Sequence, residues 1–107
     1  MKFVLSREAG TDLRHIEDYT ARKWGRDQRE AYLRSIFTAC GKLSERPNLG
    51  HTRKDIPPPY LAYSVGSHLI VYRYNADRYR IEVLNILHPA MNIERRVREA
   101  LTRLTGG

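Results

Sequence analysis

The stretch from Leu61 to His88 limits the possible folds more than any other part of the chain, because three strand-like runs follow one another there across two short turns. Leu61-Ala62-Tyr63-Ser64-Val65 alternates large apolar with small residues, the pattern of a strand with one buried face. Gly66-Ser67 supplies the backbone angles of a tight hairpin. His68 to Tyr74 is β-branched and aromatic, and Asn75-Ala76-Asp77 has turn chemistry, since Asn and Asp bond their own backbone and tolerate left-handed angles. In the third run, Arg80 to Leu87, simple alternation puts Ile81, Val83 and Leu87 on one face and Leu84 and Ile86 on the other. A strand apolar on both faces is expected at the centre of a sheet covered on both sides. It stops at His88-Pro89, because proline has no amide hydrogen to give a neighbouring strand.

Upstream, Lys2 to Leu5 reads as a short strand and Ser6 as the N-cap of a first helix, with Glu8 near the positive end of its dipole. Leu13, Ile16, Thr20 and Trp24 recur at helical spacing as its buried stripe, opposite Arg14, Asp18 and Arg22. Gly25 ends it. Asp27 and Glu30 read as a capping box for a second helix whose inner face is Leu33, Ile36, Phe37, Cys40 and Leu43, ending near Arg46 ahead of Pro47. Two helices joined this closely lie antiparallel as a hairpin. Pro47 to Tyr60 has neither a strand nor a helix period and serves as an ordered or semi-ordered connector. Ile93, Val97, Leu101 and Leu104 mark a last amphipathic helix with Asn92 as N-cap and Arg95, Arg96, Arg98 and Arg103 on or beside its polar side.

The order is N-terminal strand, antiparallel helical hairpin, three-stranded antiparallel meander and C-terminal helix: one α+β domain over residues 1–107. Its expected core is Leu13, Ile16, Trp24, Leu33, Ile36, Phe37, Val71, Val83 and Leu87. A chain of 107 residues has room for a single core. The net charge of +7 points to an anionic partner, whether nucleic acid, an acidic protein segment or a membrane surface, or simply to solubility. A single cysteine, Cys40, allows no internal disulfide, and there is neither a span-length apolar stretch nor a signal peptide's apolar block, so a cytoplasmic location is expected.

No metal motif, P-loop, Rossmann glycine pattern or nucleophile elbow is present, and no cofactor is expected. A basic and aromatic cluster remains. His68, Tyr72 and Tyr74 share one face of the middle strand, Arg73 lies on the other, and His88 closes the last strand. Histidine moves protons and arginine grips phosphate, so His68, Arg73 and His88 are the candidates for metal-independent RNA cleavage. The same residues can equally be structural, and the pleat turns Arg73 away from His68.

The chain resembles the ParE branch of the RelE/ParE toxin superfamily over nearly its whole length. The likeness is carried by Leu5-Ser6 with Ala9, Asp12 and Leu13, Trp24-Gly25 with Ala31 and Tyr32, Pro47-Asn48-Leu49-Gly50, His68-Leu69-Ile70-Val71-Tyr72-Arg73, and Ile86-Leu87-His88 with Met91-Asn92. The resemblance implies a toxin of a type II toxin-antitoxin pair that poisons DNA gyrase and is held inactive by a cognate ribbon-helix-helix antitoxin. Antitoxin contacts are expected at Arg73, Arg95, Arg96 and Arg98. The RelE branch, which cuts messenger RNA on the ribosome, typically carries basic residues where this chain has Leu69 and Pro89-Ala90. A RelE-like ribonuclease and a non-toxic nucleic-acid-binding module are the alternative readings.

Overall fold

The computed structural model describes Lys2 to Gly106. Strand β1 (Phe3–Leu5) leads into helices α1 (Arg7–Trp24) and α2 (Arg26–Glu45); strands β2 (Leu61–Val65), β3 (His68–Asn75) and β4 (Arg80–Leu87) follow, and helix α3 (Ile93–Gly106) closes the chain. The sheet order is β1-β4-β3-β2, with the meander antiparallel and β1 parallel to β4. The two helices of the hairpin cover one face, where Ala9, Ile16, Ile36, Cys40 and Leu43 meet Ile70, Tyr72, Ile81, Val83 and Ile86. The other face is covered by α3 and the connector, through Ile93, Val97, Ala100 and Ile56 against Leu69, Val71, Leu84 and Leu87.

That distribution corrects the expected pleat of β4. Val71 pairs with Asn85 and Tyr72 with Val83, so Leu84 is an extra residue with no opposite number. A bulge of this kind resets the alternation. Ile86 therefore joins Ile81 and Val83 under the hairpin, and Leu87 joins Leu84 under α3.

The helix ends show which local signals are sufficient. Ser6 caps α1 as expected, its hydroxyl accepting the Ala9 amide at 3.0 Å while also donating to the bulge carbonyl of Leu84 at 2.7 Å. Asn92 caps α3 through the Arg95 amide at 3.0 Å. The capping box of α2 is not formed: Gly25, at φ +92°, is the residue that both ends α1 and starts α2, and Asp27 lies within the first turn. In the β3–β4 turn the positive φ falls on Tyr79, not on Asn75 or Asp77, and Asn75 instead accepts the Arg78 amide through its side chain.

Two expected core residues are exposed. Trp24 is 62% accessible and Phe37 39%. Helix α1 starts beside Leu84, near the end of β4, and already meets Ile86 at Asp12, so its remaining turns run past the end of the strand and carry Trp24 to the rim. Phe37 lies a rotation of about 100° from buried Ile36, and its ring rests against Phe3 at 6.2 Å between centroids. Ile16, Ile36, Val71, Val83 and Leu87 are buried, with Leu13 and Leu33 partly so. Between α2 and β2, Pro47–Leu49 forms a short 3-10 turn, and His51 bridges Ala62 at the outer edge of β2. Tyr72 fastens this connector: its hydroxyl donates to the Pro47 carbonyl at 2.6 Å and accepts the Gly50 amide at 2.9 Å. No helix among the described residues is long and apolar enough to cross a membrane.

Candidate functional site

Because β1 stops at Leu5, the outer edge of β4 has no strand beside it from Leu84 onward. Side chains of α1 and its cap take over the pairing. Ser6 occupies the Leu84 carbonyl, and Asp12 Oδ2 accepts the Ile86 amide at 2.9 Å and the Asn85 side-chain amide at 3.1 Å. Asp12 Oδ1 accepts from Arg96 of α3 at 3.1 Å. Burial raises the Asp12 carboxyl above its ordinary range, against the opposing pull of the Ile86 amide, Asn85 and Arg96. One carboxylate on the buried stripe of α1 thus joins a helix from each face to the central strand.

Beyond Asp12, between the later turns of α1, the first turns of α2, the start of β3 and the end of β4, lies a pocket of about 630 Å³. Ile16 and Ile86 contribute its apolar lining, Tyr32, His68, His88 and Arg96 line it with polar groups, and Tyr19, Lys23, Trp24 and Met91 reach it from exposed positions. Lys23 Nζ lies 5.5 Å from the Trp24 ring centroid and 5.6 Å from that of Tyr19, whose hydroxyl accepts its hydrogen bond at 3.1 Å.

The two histidines meet edge to face, 5.6 Å between centroids. His68 Nδ1 is 2.6 Å from the Tyr32 hydroxyl, which also accepts the Ser67 amide at 3.0 Å and lies 3.4 Å from the Val65 carbonyl. Either partner can donate in this contact: where the hydroxyl donates to Nδ1, the imidazole proton is on Nε2, and where Nδ1 donates, the hydroxyl proton turns to the Val65 carbonyl. His88 Nδ1 accepts the Ala90 amide at 3.0 Å, so in neutral His88 the proton is on Nε2. Burial, and then His88, hold His68 below the ordinary histidine range. Neutral His88 therefore offers an Nε2–H donor, and His68 offers one in the tautomer whose Nδ1 accepts from Tyr32.

The structure brings His68 and His88 together and leaves Arg73 elsewhere. Arg73 is five residues along β3 from His68, about 16 Å, and on the opposite face, where its Nε donates to Glu82 at 3.1 Å. Glu82 also accepts from Asn75 and Arg80 at 3.0 and 2.9 Å. Burial would raise its pKa, but the hydrogen bonds from Asn75, Arg80 and Arg73 outweigh it and hold the carboxyl low. Of the arginines on α3, Arg96 is committed to Asp12, Arg98 lies 3.9 Å from Glu94, and Arg95 is exposed. Among the described residues, no group of three or more His, Cys, Asp or Glu side chains could hold a metal ion.

Sequence periodicity did not find the pocket or the roles of Asp12 and Tyr32. A readable signal existed for Asp12: a charged residue four positions before Ile16 on an apolar stripe needs a buried partner. Tyr19, Lys23 and Trp24 carry no such mark, since their convergence depends on how far α1 overhangs the sheet.

The profile described as "ParE toxin of type II toxin-antitoxin system, parDE" matches residues 3–93, from β1 to the start of α3. The chain belongs to the ParE toxin family. Toxin ParE1 of Mycobacterium tuberculosis is 35% identical to it over 94 residues, covering 88% of this chain and 95% of the relative. Toxin ParE1 of Caulobacter vibrioides is 32% identical over 90 residues, covering 84% and 91% respectively. Among solved structures, a chain described as the chromosomal ParDE TA system from P. aeruginosa superimposes with a TM-score of 0.69 at 20% identity, covering 82% of this chain and 95% of that one. This last likeness bears out the α+β fold. In this ParE-family chain, Asp12, Ile86 and both histidines of the pocket lie within the matched region, and Arg96 lies just beyond it.

Proposed function

We propose that this ParE-family chain poisons DNA gyrase by binding it, without chemistry of its own, and that a cognate ribbon-helix-helix antitoxin neutralises it. The family match over residues 3–93 supports the toxin reading. The observation that favours binding over catalysis is the separation of Arg73 from the His68–His88 pair. A ribonuclease needs a base for the 2'-hydroxyl, a cation for the phosphate and an acid for the leaving oxygen. Here Arg73 is on the far face of the sheet, paired with Glu82; Arg96, which lines the pocket with the two histidines, is held by Asp12; and the Nδ1 of His88 is occupied by the Ala90 amide.

The antitoxin supplies a negatively charged segment that orders on binding and lies along the cationic surface of α3 and the sheet. Arg95 and Arg98 face solvent there, and Arg73 and Arg96 present the parts of their guanidinium groups that Glu82 and Asp12 leave free. The deciding experiment is induction in cells with plasmid topology and transcript integrity followed together. Lost supercoiling or gyrase-linked breaks with intact transcripts are expected. Rapid transcript cleavage abolished by His88→Ala would establish the ribonuclease reading instead, and harmless expression without antitoxin would favour a non-toxic binding module.

A further inference from the structure

From the arrangement of groups around the 630 Å³ pocket, we propose that it binds a nucleoside monophosphate unit, either as a free nucleotide or as the phosphorylated end of a single strand. The volume is within the roughly 300–1,000 Å³ of small-molecule sites. Its contents divide into two parts that match the two parts of such a ligand. At the exposed side, Trp24 and Tyr19 are 62% and 54% accessible, with the Lys23 ammonium 5.5 Å from the Trp24 ring centroid and hydrogen-bonded to the Tyr19 hydroxyl. Flat, exposed aromatic faces beside a cation are a stacking surface for a nucleobase. Away from that side, His88 has its Nδ1 taken by the Ala90 amide, which leaves Nε2–H as its ring donor, and His68 presents a second Nε2–H in the tautomer whose Nδ1 accepts from Tyr32. Imidazole N–H donors that line one pocket with Arg96 suit phosphate oxygens.

The ionisable groups lining the pocket are Asp12, His15, Lys23, His68, His88 and Arg96, along with tyrosine hydroxyls. The single carboxylate among them, Asp12, is already held by Ile86, Asn85 and Arg96, so the field in the pocket favours an anion. This site is independent of the gyrase reading, because a protein that poisons by surface contact has no need of a donor-lined cavity.

The chain's sole tryptophan is Trp24, so stacking at the site can be read as quenching of intrinsic fluorescence in the intact protein. Saturable quenching by AMP is expected, with adenosine and inorganic phosphate each bound at least about tenfold more weakly, a difference of about 1.4 kcal/mol. Lys23→Ala and His88→Ala, both at exposed positions, should each weaken AMP about tenfold while leaving the melting temperature in place. A 5'-phosphorylated tetranucleotide compared with AMP separates the two sources. Tighter binding of the free nucleotide assigns the pocket to a small molecule, and tighter binding of the oligomer assigns it to a strand end. Equal quenching by adenosine and AMP, full AMP affinity in both variants, or quenching by an acidic peptide but by no nucleotide would overturn the proposal.

Discussion

Asp12 Oδ2 accepts the backbone amide of Ile86 at 2.9 Å, so a helix side chain stands where a neighbouring strand would otherwise pair with β4. Replacing Asp12 by Ala leaves the Ile86 amide, the Asn85 amide and the Arg96 guanidinium without their acceptor. Arg96 can still turn toward water, so the expected loss is about 3 kcal/mol, at the lower end of the range for a broken buried pair. Urea unfolding of Asp12→Ala checks it, and a cost below about 1 kcal/mol would show that the link contributes little. Asp12→Asn keeps one acceptor for Ile86 and should be intermediate.

Phe37 and Ile36 are adjacent in sequence but differ sharply in burial, at 39% and 0% exposure. Ile36→Ala should cost about 4 kcal/mol, because it opens a cavity under the hairpin. Phe37→Ala should cost only about 1 kcal/mol, from the contact with Phe3. Thermal melts of the two variants should rank in that order, and the reverse order would place Phe37 in the core.

Gly66 turns β2 into β3 at φ +54°, and a β-carbon there would lie 2.6 Å from the Tyr32 ring. Gly66→Ala therefore strains the backbone and pushes Tyr32 from its place against His68. A loss of about 2 kcal/mol is expected, along with a change in the His68 ring signals in an NMR spectrum. Unchanged His68 signals would mean that Tyr32 does not hold the ring.

His68 gives the fold a defined pH dependence. Its folded pKa is below the ordinary value because it is buried and faces His88, while Tyr32 from α2 contacts it without charge. The unfolded chain therefore takes up the proton first as the medium is acidified. This contribution to stability is complete above about pH 6.5, falls as the pH drops below that value, and levels off once the folded His68 has itself titrated. Denaturant midpoints between neutral and mildly acid pH should show the decline, and His68→Gln should flatten it. An equal slope in the variant would trace the effect to another group.

How much of this was readable in the chain depends on the range of the interaction. The three meander strands, the Ser6 and Asn92 caps and the end of α1 at Gly25 follow from chemistry within a few residues, and they were legible. The Leu84 bulge was not, because it is fixed by Ser6 and the end of β1, residues far away in sequence. Trp24 is apolar and correctly spaced for the core, and only the point along β4 at which α1 starts puts it at the rim. For the candidate site, the two histidines could be named in advance, as could the orientation of Arg73. The cavity between them and Trp24 is assembled from α1, α2, β3 and β4, segments far apart in the chain, which leaves no local pattern.

The Asp12 link also has a consequence for how the molecule is made. Its carboxylate is separated by 74 residues from the amide of Ile86 and by 84 from Arg96, and Glu8 meets Arg103 across 95. Helix α1 thus waits for β4 and α3 before its buried charge is satisfied. Contacts of such long sequence separation form late, after the entropy of closing the loop has been met. During synthesis the hairpin can form, but the sheet edge it completes does not yet exist, so the finished surface emerges only after α3 has been made.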